Sequence, residues 1–123
     1  MNSYIHTSLL AQAESFRSAY NLTHGPQHRT IQKSLIDEEW SEFHEAYHLK
    51  DECDQLKELA DLVYVCFQFA ASQEWDLDEA MHRVHASNMS KLGEDGKPVY
   101  REDGKVLKGP NYAPPTLNDL ILK

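Results

Sequence analysis

Two short stretches carry the residue types that could do chemistry: LIDEEWSEF at residues 35–43 and KELAD at residues 57–61. Glu39 and Glu42 are three residues apart, so on a helix they share a face. At about 100° per residue, Leu35, Phe43 and Ala46 fall within roughly 50° of that pair. Two acids therefore lie inside an apolar stripe. Burying an unpaired carboxylate is costly, and acids so placed take a cation or another partner. Glu58 and Asp61 repeat the spacing, and Val65 and Phe69 continue their face. Two antiparallel helices would thus present four oxygen ligands to one space. Such a set suits Mg²⁺ or Mn²⁺ and needs no Cys or His. Glu38 stands at the edge of the stripe, one turn from Glu42. It can meet a water beside that space without being a ligand. Most EExxE runs on helices are solvated faces paired with lysines. The apolar setting and the second acidic pair set this one apart.

Two other readings compete. Glu45-Ala-Tyr-His48 and Glu79-Ala-Met-His82 both read ExxH, and two such helices with glutamates on two others describe a di-iron carboxylate bundle. The helical wheel opposes it. Glu45 and His48 lie away from the Leu35–Phe43–Ala46 face, and Glu79 and His82 lie opposite Leu77, Met81 and Val84. The second alternative is a non-catalytic helical interaction module, resting on the apolar surface of the third predicted helix. Metal and nucleotide binding separate it from an enzyme.

The elements that must position the acids are helical. Ile5, Leu9, Ala13, Phe16 and Tyr20 recur at spacings of three and four, which predicts an amphipathic helix over residues 3–20. The turn signal NLTHGP, residues 21–26, ends it. A second helix spans 28–49, with Ile31, Leu35, Phe43 and Ala46 inward. A third spans 52–74. Its LVYVCFQFAA, residues 62–71, is apolar almost all round and must be buried on several sides. Leu62, Val65, Cys66 and Phe69 extend this surface beyond what one partner helix can cover. Asp76 to Glu79 opens a fourth helix, running to about Leu92, with Leu77, Met81, Val84, Met89 and Leu92 inward. Beyond Gly93, VYRE and KVLK flank an Asp-Gly pair, a hairpin signature. Phe16, Tyr20 and Trp40 are expected in the core, and His24 and His28 at the surface. The architecture expected is all-α: a four-helix bundle with a C-terminal hairpin and coil tail, as one domain over 1–123. Its helical core covers about 3–92 and its tail 93–123.

Composition bounds the function. The 123 residues include 41% hydrophobic ones, enough for a modest core that gains from association. The formal net charge of −8 argues against wrapping a nucleic-acid backbone. A triphosphate can still bind through a metal cation. No run reaches the ~18–20 apolar residues of a membrane span, and no signal peptide is visible at the start. Cys53 and Cys66 fall in one predicted helix, about 20 Å apart at the helical rise, so they cannot bridge. Two buried thiols in a reducing, cytoplasmic setting are expected.

Glu38-Glu39-Trp-Ser-Glu42, fifteen residues, then Glu58-Leu-Ala-Asp61 resembles the EExxE…ExxD signature of the all-α NTP pyrophosphohydrolases. This MazG-like superfamily also contains dimeric dUTPases and phosphoribosyl-ATP pyrophosphohydrolase. The tail SNMSKLGEDGKPVYREDGKVLKGPNYAPP is similar to the C-terminal segment of small single-domain members, so the resemblance covers roughly residues 28–115. It implies that Glu39, Glu42, Glu58 and Asp61 hold Mg²⁺ or Mn²⁺ and that Glu38 activates the attacking water. Asn88 and Lys91 match an Asn-x-x-Lys pair associated with substrate. The implied reaction cuts a nucleoside triphosphate between its α- and β-phosphates, giving a monophosphate and pyrophosphate. The implied assembly is a homodimer or homotetramer. Arg101, Lys105 and Lys108 are tail cations that could fold over the phosphates. No residue identifies the base; dGTP or GTP is the first expectation and dUTP the second.

Overall fold

The computed structural model describes residues 7–121. Ile5 and the start of the first expected helix lie outside the described residues. Four helices follow one another: α1 (Leu9–Ala19), α2 (Arg29–Leu49), α3 (Glu52–Ser72) and α4 (Leu77–Met89). Two short strands, β1 (Val99–Tyr100) and β2 (Val106–Leu107), come after them. The chain is all-α, with a C-terminal tail that carries the hairpin. No helix among the described residues is long and apolar enough to cross a membrane.

The chain forms two compact units, Met1–Leu77 and Asp78–Lys123. In the first, α3 packs against both α1 and α2. Ser8 starts α1 by accepting a hydrogen bond from the Ala11 amide at 3.0 Å. Asn21, at φ 55°, and Gly25, at φ 137°, turn the chain out of it. Asp51 caps α3 in the same way, accepting from Asp54 N–H at 3.1 Å. Lys50 just before it is left-handed at φ 60°, so the connection between α2 and α3 is tight and the two helices run antiparallel.

The buried cluster of this unit is Ala13, Phe67 and Ala71, with Leu10 and Leu77 against it. Alanines on both helices let α1 and α3 approach closely. Polar side chains fill the rest. Arg17 is only 2% exposed; its guanidinium donates to the Thr23 carbonyl and, at 3.5 Å, to Gln68 Oε1. Burial lowers its pKa from the usual arginine value. Gln68 in turn donates to the Ala13 carbonyl at 3.3 Å. At the end of α3, Gln73 accepts from Arg29 Nε at 2.7 Å and donates to the Gly25 carbonyl at 2.8 Å. These bonds fix where α2 begins relative to where α3 ends.

Several expectations about the core are corrected. Ile31 is 62% exposed and Trp40 56% exposed, while Gln32 is buried in place of Ile31. The inward stripe of α2 is therefore rotated and reads Gln32, Leu35, Ile36, Glu39, Phe43 and Ala46. Phe16 and Tyr20 are also exposed, stacked on each other at 4.5 Å. Met81 and Met89 are exposed rather than inward. Cys53 is exposed; Cys66 is half-buried, and burial pushes its thiol pKa up.

In the second unit the tail is tied to α4. The Arg83 guanidinium donates to the Thr116 carbonyl at 2.9 Å and to both Asp119 oxygens at 2.6 and 2.9 Å. Ser90 Oγ accepts from Ala113 N–H at 2.9 Å. The Gly109 amide donates to the Lys91 carbonyl at 2.7 Å. A Cβ at Gly109 would stand 2.4 Å from the Leu92 carbonyl oxygen, so glycine is required there. The expected hairpin is present, with Val99 opposite Leu107 and Tyr100 opposite Val106.

Candidate metal centre

Helix spacing and a tight antiparallel hairpin are enough to build an acidic cluster. Glu39 sits three turns into α2, on its inward stripe. Glu58 and Asp61 sit on the second and third turns of α3, three residues apart and so on one face. Pairing α2 with α3 brings one carboxylate oxygen from each of Glu39, Glu58 and Asp61 within 4.8 Å of one another. All three side chains are half-buried. Leu62, Val65 and Phe69 continue the Glu58 face of α3 and are half-buried as well.

The electrostatics of the cluster are unfavourable as they stand. Burial first, then repulsion from Glu42 and Asp61, a hydrogen bond with Glu42 and repulsion from Glu58 raise the Glu39 pKa above its ordinary value. Glu39 Oε2 and Glu58 Oε2 are buried and have no hydrogen-bond partner among the described residues. Orphaned carboxylate oxygens cost free energy, and each has lone pairs to offer. A hard divalent cation would satisfy both oxygens and remove the repulsion, so the donor set fits Mg²⁺ or Mn²⁺.

Glu42 is exposed and stands beside the three-oxygen group rather than in it. It lines an adjoining hollow of about 450 Å³ with Glu45, Ala46, Leu49, Asp54, Lys57 and Glu58. Glu38 is exposed on α2 and outside the group. Asn88 is exposed and Lys91 half-buried, both in the second unit. Arg101, in the tail, is held by Asp103 through Nε at 2.9 Å and through a second, shorter bond. Lys108 places its ammonium 4.8 Å from the centre of the Tyr112 ring.

Sequence reasoning missed Lys57. Its ammonium lies 2.8 Å from Asp61 Oδ2 and 3.2 Å from Glu58 Oε1. Bonds to Asp61 first and Glu58 second raise its pKa. The signal was present in KELAD, since Lys57 and Asp61 are four residues apart on a helix. The ammonium partly offsets the charge of the two α3 acids without reaching the buried oxygens.

The di-iron alternative gains nothing from this geometry. His48 and His82 are exposed and neither is in the acidic group. A family model described as phosphoribosyl-ATP pyrophosphohydrolase matches residues 8–88. The match includes all five candidate acids and Asn88, and it ends before Lys91 and Arg101. No curated protein matches the chain.

Proposed function

Because the chain belongs to the phosphoribosyl-ATP pyrophosphohydrolase family, whose members hydrolyse a pyrophosphate bond of a nucleotide, we propose that it is a metal-dependent nucleoside triphosphate pyrophosphohydrolase. Its reaction converts a (d)NTP to the (d)NMP and pyrophosphate. The observation that carries this reading is the pair of buried oxygens on Glu39 and Glu58, beside Asp61, that have no hydrogen-bond partner among the described residues.

Glu39, Glu58 and Asp61 would hold Mg²⁺ or Mn²⁺, with Glu42 completing the set from its neighbouring position. When bound, the metal neutralises phosphate oxygens and aligns the anhydride for in-line attack. Glu38 is exposed and free of the buried group, so it can take the proton of the attacking water. Asn88, Lys91 and Arg101 are assigned to the substrate. Arg101 must give up Asp103 to reach a phosphate, which makes its contribution conditional on the substrate's arrival. The base preference proposed is dGTP or GTP first, then dUTP. The free thiols of Cys53 and Cys66 and a nucleotide substrate support a cytoplasmic location.

The test is a panel of common NTPs and dNTPs, with phosphoribosyl-ATP added because of the family's name, assayed with Mg²⁺ and Mn²⁺. Phosphorus NMR of the products should show a nucleoside monophosphate and pyrophosphate. A diphosphate with orthophosphate would mean another class of hydrolase.

The assembly proposed is a homodimer or homotetramer. The exposed apolar residues of α3 are Leu56, Leu59, Val63 and Tyr64, instead of the Leu62, Val65, Cys66 and Phe69 expected. With Leu9 and Phe67 they line a groove of about 380 Å³. A contiguous apolar surface of this kind is suited to a second copy. Light scattering at micromolar concentration should give at least twice 14.2 kDa. An active monomer would refute the proposal.

A further inference from the structure

The segment His44-Glu-Ala-Tyr-His48 of α2 places two imidazoles four residues apart, on adjacent turns of one face. Their Nε2 atoms lie 3.2 Å apart, and the rings meet edge-to-face with centroids 4.5 Å apart at 76°. Both side chains are exposed. The Tyr47 ring meets that of His48 edge-on, with centroids 5.6 Å apart.

Two ring nitrogens at this distance form a hydrogen bond in which one ring donates N–H and the other accepts with its lone pair. The same space suits a cation that takes both lone pairs. Zinc–imidazole bonds are about 2.0–2.1 Å. With the nitrogens 3.2 Å apart, a cation at that distance from each subtends an angle of about 100° between them. That angle lies between the octahedral and tetrahedral values. The helix holds both rings within reach of one cation, and rotation of the imidazoles about their side-chain bonds turns both lone pairs onto it.

From these contacts we propose a second metal site on α2, formed by His44 and His48, for a borderline divalent cation of the Zn²⁺, Ni²⁺ or Cu²⁺ class. It is distinct from the acidic cluster on two grounds. At about 100° per residue, His44 and His48 stand about 140° and 180° around α2 from Glu39, so one ion cannot touch both sets. The ligand chemistry also differs: imidazole selects borderline cations, whereas carboxylates select Mg²⁺ and Mn²⁺. The remaining coordination positions face solvent and are filled by water. A cation spanning two turns holds the C-terminal half of α2 in helical form, and binding only the folded chain raises its melting temperature.

The test uses the full chain without an affinity tag. Ni²⁺ is titrated calorimetrically into the wild type, His44→Gln, His48→Gln, the double variant and Asp61→Asn. Glutamine keeps the helix, and circular dichroism checks it. The wild type should bind one Ni²⁺ equivalent that depends on His44 and His48, beyond any taken by the acidic cluster, and Asp61→Asn should retain that equivalent. Each single histidine variant should lose at least about tenfold in affinity, because one of two protein ligands is gone. The part of the Ni²⁺-induced rise in melting temperature that persists in Asp61→Asn should disappear when His44→Gln and His48→Gln are added to it. Unchanged Ni²⁺ binding in the double variant, or its loss in Asp61→Asn alone, would overturn the site.

Discussion

Asp61→Asn and Glu39→Gln each lower the rate of nucleotide hydrolysis by at least ~10³-fold while the fold survives. The size follows from what the cluster supplies. A metal clamp on transferring phosphoryl groups contributes several kcal/mol, and each ~1.36 kcal/mol is a factor of ten. Removing one of three converging oxygens leaves the metal with too few anionic ligands. The fold survives because neither change leaves a buried charge uncompensated. Glu39→Gln removes the carboxylate whose pKa burial and its neighbours raise. Asp61→Asn relieves the same crowding, at the cost of an exposed ion pair with Lys57.

A stability measurement accompanies the kinetics. The raised Glu39 pKa means that the metal-free native state holds this proton more tightly than the unfolded chain does. Its stability therefore falls as pH rises from the unfolded carboxylate pKa through the higher folded one. Mn²⁺ should restore stability above that range in the wild type and much less in Glu39→Gln. EDTA should abolish activity, and Mg²⁺ or Mn²⁺ should restore it. Full activity in chelator would sink the metal assignment.

Glu38→Gln gives the second large loss, of ~10²–10⁴-fold in kcat, the usual worth of a positioned general base. Glu38 adjoins Glu39 in sequence but points about 100° away around the helix. It is exposed where Glu39 is half-buried, and it lies outside the group of converging oxygens. Two residues in such different settings cannot play one part. A carboxylate in that exposed position can accept a proton from water attacking the α-phosphorus. The variant should therefore keep metal and nucleotide binding, whereas Glu39→Gln weakens metal binding too. Mn²⁺ titrations of both variants, with and without a non-hydrolysable nucleotide, separate the roles. Equal loss of metal affinity would make Glu38 a ligand.

The sequence by itself determined the helices and the pairing of acids upon them. Helical geometry is local and fixed, so Glu39 and Glu42, or Glu58 and Asp61, share a face wherever the helix lies. The Asp-Gly hairpin was legible for the same reason, because turn chemistry acts over four residues. What spacing cannot give is the rotation of each helix against its neighbours. Leu35, Phe43 and Ala46 define a stripe of α2, but tertiary packing put Gln32 inside and left Ile31 in solvent. That rotation made Glu39 the innermost acid and set Glu42 beside the cluster.

Burial of polar groups was also decided only in three dimensions. Arg17 is not singled out by the helical pattern of α1, yet the Thr23 carbonyl and Gln68 accept its hydrogen bonds in the interior. Those partners are 6 and 51 residues away. A buried polar side chain is tolerable only where partners meet it, and their meeting is a property of the packed helices. The acidic cluster obeys the same rule in reverse: α2 and α3 bury Glu39 Oε2 and Glu58 Oε2 with no hydrogen-bond partner among the described residues, and a divalent cation is the group proposed to satisfy them.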